Sequence, residues 1–250
     1  ERIKKLNKNK SFVFKRVDIS NYKSLVNIFD KEKVDVVINL AAQAGVRYSI
    51  DKPSLYMKSN IQGFFNILEC SRSYSVKHLI YASTSSVYGD NKTFPLREDF
   101  NTDKPLSFYA ASKKTNEILA YSYSNIYKLP TTGLRFFTVY GPFGRPDMAL
   151  FKFADRISKN KEIELFNGGD HIRDFTYISD IAQSIKLLVK KIPKSNPPYE
   201  IFNIGSNNPK NLKLFLKTIE KNLNKKSIIK KLPLQEGDVH KTHANVTKLY

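Results

Sequence analysis

The sequence predicts an α/β fold: a doubly wound, mostly parallel sheet with helices on both faces and a small C-terminal lobe. Three observations predict it. Short apolar runs alternate with amphipathic helical patterns along the chain. The runs are rich in Val, Ile and Leu without strict polar alternation, as in strands covered on both faces. The run ending at Ala82 stops in four consecutive hydroxyl residues, Ser83 to Ser86, at a carboxyl strand end, where such sheets bind ligands.

Taken in order, Phe12 to Val17 reads as a short first strand. Leu25, Ile28 and Phe29 then share a helix face after a cap at Ser20 or Asn21. Val34 to Leu40 is a buried strand, Leu55 to Tyr74 a longer helix, and His78 to Ser83 a second buried strand. A helix over Phe108 to Tyr127 and a strand over Thr132 to Phe137 follow. Ile181, Ile185 and Leu188 line a helix capped near Ser179, and Glu200 to Ile204 is a last strand.

At 41% hydrophobic content, 250 residues are enough to build a core. The run Val34 to Ala42, broken by Asp35 and Asn39, is too short and polar to cross a bilayer. A single cysteine, Cys70, excludes an internal disulfide and any multi-cysteine metal site, which suits a reducing compartment, the cytoplasm. The net charge of +19 invites a nucleic-acid reading. However, the lysines are scattered, with only small groups such as Lys4, Lys5, Lys8, Lys10 and Lys225, Lys226, Lys230, Lys231. No recognition helix or aromatic ribonucleoprotein pattern accompanies them. Abundant Lys, Asn, Ile, Tyr and Phe without Trp read as compositional bias on solvated faces. Weak, salt-sensitive attraction to polyanions is the other reading. No specific nucleic acid and no membrane is expected as a partner.

In "SFYAASKKTNE", residues 107 to 117, Tyr109 and Lys113 stand four apart on one helix face, so their heads can meet across a common ligand. The segments "NLAAQAGVRYSI", "YASTSSVYG", "YAASK", "GLRFFTVYGPFGRPDMA" and "RDFTYISDI", in this order, resemble the extended short-chain dehydrogenase/reductases. Within them, the match is to the NAD-dependent epimerase/dehydratase family and most narrowly to its UDP-glucuronate 4-epimerases. Members open with a strand, a glycine-rich turn and a helix that holds the NAD pyrophosphate. This sequence has no such fingerprint. The resemblance therefore implies a chain truncated at both ends, lacking the first strand-helix-strand, and leaves open whether it binds NAD alone.

The resemblance implies a partial NAD-binding domain over 1–140 and a nucleotide-sugar lobe over 141–250, with 175–205 returning to the sheet. It implies NAD as cofactor, a UDP-sugar as substrate, and a homodimer through the helices near 55–74 and 107–127. The sugar's C4 hydrogen is not acidic, so inversion must run through oxidation to a 4-keto sugar. Tyr109 is the implied base, with a phenol of unperturbed pKa ~10 lowered by the Lys113 ammonium, and Thr84 the hydroxyl that steadies the O4 proton.

Oxidised glucuronate is a β-keto acid prone to lose carbon dioxide. Ser85 and Ser86, with Thr84 and Arg145, can hold its carboxylate out of alignment. The related decarboxylases carry glutamate where Ser86 stands, and the 4,6-dehydratases carry Asp-Glu after the threonine. A solvated turn is the plainer reading of Ser85 and Ser86.

On the cofactor side the resemblance places Asp18, Ile19, Leu40, Ala41, Ala42, Gln43, Asn60 and Phe137 beside Tyr109 and Lys113. On the nucleotide-sugar side it places Arg47, Thr138, Phe166, Asn167 and Arg173. Arg173 is read as a diphosphate partner, or as salt-bridged to Asp174 or Asp180. His171 is read as a surface histidine. Gln235 and Glu236 stand where galactose-type epimerases place an arginine. A non-catalytic truncated basic scaffold, or another nucleotide-sugar epimerase or decarboxylase, are the competing functions.

Overall fold

The computed structural model describes all 250 residues. Its central sheet has four parallel strands in the order β1 (Val36–Asn39), β2 (His78–Thr84), β3 (Thr131–Phe136) and β8 (Tyr199–Ile204). Between β3 and β8 lie the short strands β4 (Thr138–Tyr140), β5 (Ile163–Phe166), β6 (Ile172–Arg173) and β7 (Phe175–Tyr177); after them come β9 (Lys210–Asn211) and β10 (Ile229–Leu232). These pair in three two-stranded sheets, β4 with β7, β5 with β10 and β6 with β9.

The helices are α1 (Arg2–Leu6), α2 (Tyr22–Lys31), α3 (Val46–Asp51), α4 (Pro53–Tyr56), α5 (Gly63–Ser73), α6 (Phe108–Tyr127), α7 (Ala149–Ser158), α8 (Ile178–Val189) and α9 (Leu212–Leu223). None is long and apolar enough to cross a membrane.

Both faces of the sheet are covered because β2 is apolar at successive positions. Leu79 and Tyr81 pack with Leu25 and Phe29 of α2, Phe64 and Leu68 of α5 and Ala120 of α6. Ile80 points the other way, into Leu134, Phe202, and Ile181 and Leu188 of α8. The four predicted strands from Val34 onward form within two residues of their expected bounds.

Local chemistry sets the helix ends. Asn21, rather than Ser20, caps α2: its Oδ1 accepts the Ser24 N–H at 3.1 Å, while Ser20 Oγ is engaged with Asp18 at 2.8 Å. Ser107 caps α6 by accepting the Ala110 N–H at 3.2 Å, and Lys128, in the left-handed region at φ 55°, ends it.

Three expectations are corrected. Phe12 to Val17 forms no strand, because no segment of the chain supplies a ladder for it, and Val13 remains 70% exposed. The helix expected over Leu55 to Tyr74 is interrupted by a π-helical turn at Met57–Gln62 between α4 and α5. Helix α8 starts before Ser179, whose hydroxyl donates to Asp180 Oδ1 at 3.1 Å instead of capping. Helices α7 and α9, with β5 and β10, were not anticipated; Phe153, Ile157 and Leu216 close a separate small core over Ile163 and Leu165.

Gly133 of β3 lies opposite Tyr81 of β2. A Cβ there would stand 2.7 Å from Tyr81 Oη, 2.8 Å from Tyr81 Cζ and 3.2 Å from Ile201 Cγ1. Tyr81 is fully buried and cannot swing away. Gly133→Ala is therefore expected to lower stability by about 1–3 kcal/mol, read as a fall in the urea midpoint at unchanged slope; an unchanged midpoint would contradict the packing.

Candidate active site at the carboxyl end of the sheet

Strand β2 leaves the sheet at Thr84, whose extended backbone starts the 3-10 turn Ser85–Tyr88. Thr84 Oγ1 accepts the Ser86 N–H at 3.2 Å and donates to Ser86 Oγ at 3.2 Å. The hydroxyls of Thr84 and Ser86 are thus held together, with Ser85 between them and half-buried.

Helix α6 lies against this strand end. Tyr109, Lys113 and Glu117, at spacings of four, form its inward stripe. Lys113 Nζ donates to Ala82 O at 2.9 Å, and Ser83 Oγ donates to Glu117 Oε1 at 2.6 Å. Glu117 accepts two parallel bonds from Arg135 of β3, both 2.9 Å, with side chains only 3% and 4% exposed. Arg135 Nη1 continues to Tyr88 Oη at 3.0 Å, and Tyr88 Oη donates to Asn203 Oδ1 of β8 at 2.6 Å. The sequence reading missed Glu117 and Arg135; the available signal was a glutamate one further turn along the Tyr109–Lys113 face.

Tyr109 is half-buried, with its ring edge-on to buried Tyr56, centroids 6.2 Å apart. Burial raises its pKa above the usual 10, while a Thr84 hydrogen bond and the charge of Arg145 pull it down. Lys113, the charge expected beside the phenol, has its ammonium turned to the Ala82 carbonyl of β2. Burial pushes Lys113 itself down to about 8.

On the cofactor side, Leu40, Ala41 and Ala42 stand exposed at the carboxyl end of β1. Gln43, next in line, is clamped by Asn60. Asn60 Oδ1 accepts the Gln43 N–H at 2.7 Å, and its Nδ2 donates to Gln43 O at 3.0 Å and Ser112 Oγ at 2.9 Å. Both of its N–H groups are committed inside the protein, so Asn60 holds the loop rather than reaching outward. Asn60 lies within the π-helical turn, and its carbonyl accepts from Asn116 Nδ2 at 2.7 Å. Asp18 accepts from Ser20 N and Oγ at 2.9 and 2.8 Å, and Asn66 Nδ2 pins Ile19 O at 3.0 Å. Phe137 is corrected: its side chain is buried in a core cluster with Val87, Tyr88 and Leu96 and offers no surface to a ligand.

The exposed strand end fits the close approach of NAD. A methyl-sized, exposed crest at Ala41 and Ala42 permits close approach, beside the partly open Tyr109. No glycine-rich turn for the pyrophosphate occurs in the chain.

The nucleotide-sugar candidates split into two groups. Arg145 and Thr138 line a cavity of about 230 Å³ with Gly141, Met148 and Phe175. Arg145 is held by Asp147 through Nε at 3.0 Å and Nη2 at 2.5 Å. In the second group, the Arg47 guanidinium stacks on the Phe166 ring at 4.6 Å, and Asn167 Nδ2 donates to Asp170 O at 3.1 Å.

Arg173 pairs with neither Asp174 nor Asp180. Its Nη2 meets Asp238 Oδ1 at 3.1 Å, and its Nη1 donates to His240 O at 2.9 Å. Asp174 is buried and accepts from Ser206 N and Oγ, both 2.7 Å, and from Ala244 N at 2.9 Å. His171, expected on the surface, is buried with Nε2 3.5 Å from Asp238 Oδ2. A larger hollow of about 900 Å³ between α6 and β8 contains none of the hydroxyl cluster. No three His, Cys, Asp or Glu side chains are grouped to hold a metal ion.

Comparison with known proteins adds four findings. The model of the NAD dependent epimerase/dehydratase family matches residues 2–205. "Protein CapI" of Staphylococcus aureus is 50% identical over 264 residues, covering 100% of this chain and 79% of that protein. The UDP-glucuronate 4-epimerase of Thermodesulfobacterium geofontis is 41% identical over 248 residues, covering 99% and 75%. Among solved structures, UDP-glucuronic acid 4-epimerase from Bacillus cereus, in complex with UDP-glucuronic acid and NAD, superposes with TM-score 0.90. It is 33% identical, covering 99% of this chain and 77% of that one.

The folded-state pKa of Lys113, about 8, lies below the ordinary lysine value of 10.5. Between those values the unfolded chain binds more protons, so stability rises with pH there, and below about 8 the cost of burying the charge is fully present. Lys113→Met is expected to stabilise the NAD-free protein at pH 7 by roughly 3 kcal/mol at most. The gain should shrink toward pH 10.5 while turnover is lost. A lower urea midpoint at pH 7 would contradict this.

Proposed function

The chain belongs to the NAD dependent epimerase/dehydratase family, and on that premise we propose that it inverts C4 of UDP-glucuronate, giving UDP-galacturonate. One observation carries the substrate choice: Thr84, bonded to Ser86 at the head of the hydroxyl turn, and the Arg145 charge both act on Tyr109. A base and a set of carboxylate-holding donors thus share one small region. The names of the similar proteins from T. geofontis and B. cereus support the same reading.

NAD, held at the Ala41–Ala42 strand end and by Lys113, would supply the reversible hydride transfer that C4 inversion needs. The chain's residues do the rest. Tyr109, as phenolate, accepts the O4 proton; Thr84 donates to the same oxygen and steadies it; Arg145 favours the ionised phenol. Lys113, anchored on Ala82, holds the nicotinamide ribose. Ser85, Ser86 and Arg145 hold the carboxylate of the 4-keto sugar out of line with the carbonyl, so the C5–C6 bond is retained while the sugar turns.

Ala41 and Ala42 give the cofactor close approach, Gln43 is presented by Asn60, and Asp18 and Ile19 lie toward the adenine. Thr138, Phe166, Asn167 and Arg173 take the nucleotide part, with Arg173 on the diphosphate and Arg47 as a further anion contact. In this reading residues 1–140 form the cofactor half and 141–250 mainly the sugar lobe, with 175–205 returning to the sheet. Two copies would pair through α5 and α6, where Phe65, Ile118, Tyr121 and Ile126 are exposed, and the protein would work in the cytoplasm.

The test is incubation with NAD and UDP-glucuronate, with chromatographic separation of UDP-galacturonate. Product is expected from the wild type, and Tyr109→Phe should lower kcat about 10²–10⁴-fold. No product despite NAD binding would refute the substrate; product from Tyr109→Phe at the wild-type rate would refute the base.

A further inference from the structure

We infer that Asp147 is the residue that positions Arg145 for the substrate carboxylate; this rests on the UDP-glucuronate reading above. A guanidinium presents a side-on edge, Nε with Nη2, and an end-on edge, Nη1 with Nη2. Asp147 takes the side-on edge in a two-point fork, Nε to Oδ1 at 3.0 Å and Nη2 to Oδ2 at 2.5 Å. The end-on edge stays free for a second carboxylate, so Asp147 and a bound glucuronate do not compete.

The surroundings fix the direction of that edge. Nη2 lies against Gly45, 3.8 Å from where a Cβ would stand; at φ +110° that position disfavours any side chain. The same virtual Cβ is 3.8 Å from Tyr56 Oη, which donates to Gly45 O at 2.7 Å. Arg145 is therefore caught between Asp147 and the Gly45–Tyr56 pair, with its charge felt by Tyr56 and Tyr109. Without the fork, an arginine 43% exposed would have only the contact with the Gly45–Tyr56 pair to orient it.

The chain contains its own control. Arg97 and Asp99 make the same two-point fork at the same spacing, 3.0 and 2.7 Å, away from the hydroxyl turn. Any general effect of such a surface pair must appear at both places.

Loose placement of Arg145 has a chemical signature. If the carboxylate of the 4-keto intermediate aligns with the carbonyl, the C5–C6 bond breaks and carbon dioxide leaves. The electron pair forms the C4–C5 enolate, C5 then takes a proton from water, and the two electrons removed from C4 stay on the reduced cofactor. The product is a UDP-4-keto-pentose.

The experiment compares wild type, Asp147→Asn, Asp147→Glu and Asp99→Asn in the full chain with UDP-glucuronate and NAD. It reads KM, kcat, carbon dioxide release and UDP-glucose affinity by calorimetry, with thermal melts to check folding. Asp147→Asn should raise KM for UDP-glucuronate roughly tenfold to a hundredfold, release carbon dioxide and leave UDP-glucose affinity unchanged. Asp147→Glu should restore part of the loss, and Asp99→Asn should match wild type. Unchanged KM without carbon dioxide release, a lower KM, or equal effects of Asp147→Asn and Asp99→Asn would each overturn the proposal. Absence of UDP-galacturonate from a wild type that binds NAD would instead refute the reading on which it rests.

Discussion

A single buried ion pair, Glu117 with Arg135, ties together the elements that meet at the hydroxyl turn. Its two parallel bonds join α6 to β3; Ser83 brings in the end of β2, and Tyr88 and Asn203 bring in the 3-10 turn and β8. Two charges removed from water are costly unless their remaining hydrogen-bonding groups are satisfied. Here Arg135 uses Nε, Nη1 and Nη2, and Glu117 uses both oxygens. Such a network tolerates few alternative registers between α6 and β2. The consequence is positional: Tyr109 and Lys113 share the stripe that Glu117 anchors, so fixing Glu117 fixes their height above the strand end.

The electrostatics of the site follow from that placement. Lys113 is drawn under the strand end, where Ala82 O satisfies one donor but burial opposes its charge. Tyr109 is also penalised as an anion by burial, and the groups that offset this come from other segments, Thr84 from β2 and Arg145 from the loop before α7. A phenol surrounded by three segments is tuned by the loops as much as by the helix that carries it. In this account that links proton abstraction to carboxylate retention, because Arg145 takes part in both.

Much of this was legible in the sequence. The uninterrupted apolar run His78–Ala82 requires burial on both faces, and the Tyr109–Lys113 spacing showed which face of α6 turns to the strand end. What failed to show was whatever depends on partners distant in the chain. Phe12 to Val17 has a strand's composition but no neighbour to pair with. Phe137 looks like its neighbours in "RFFTV", yet strand alternation and the cluster around Tyr88 turn it inward. Arg173 finds Asp238, 65 residues away, in preference to the adjacent Asp174, whose carboxylate is consumed by Ser206 and Ala244. His171 is buried by that same return of the chain. Local pattern specifies which face a residue uses; long-range pairing decides what it meets there.

The most direct test of the central claim is a crystal structure of the Tyr109→Phe protein with NAD and UDP-glucuronate. The account predicts the sugar O4 within about 2.6–3.2 Å of Thr84 Oγ1 and of the position a Tyr109 hydroxyl would occupy. The carboxylate should lie on Ser85, Ser86 and the end-on edge of Arg145. A carboxylate turned to solvent, or to the Arg47–Phe166 side, with the hydroxyl turn left to water, would contradict it.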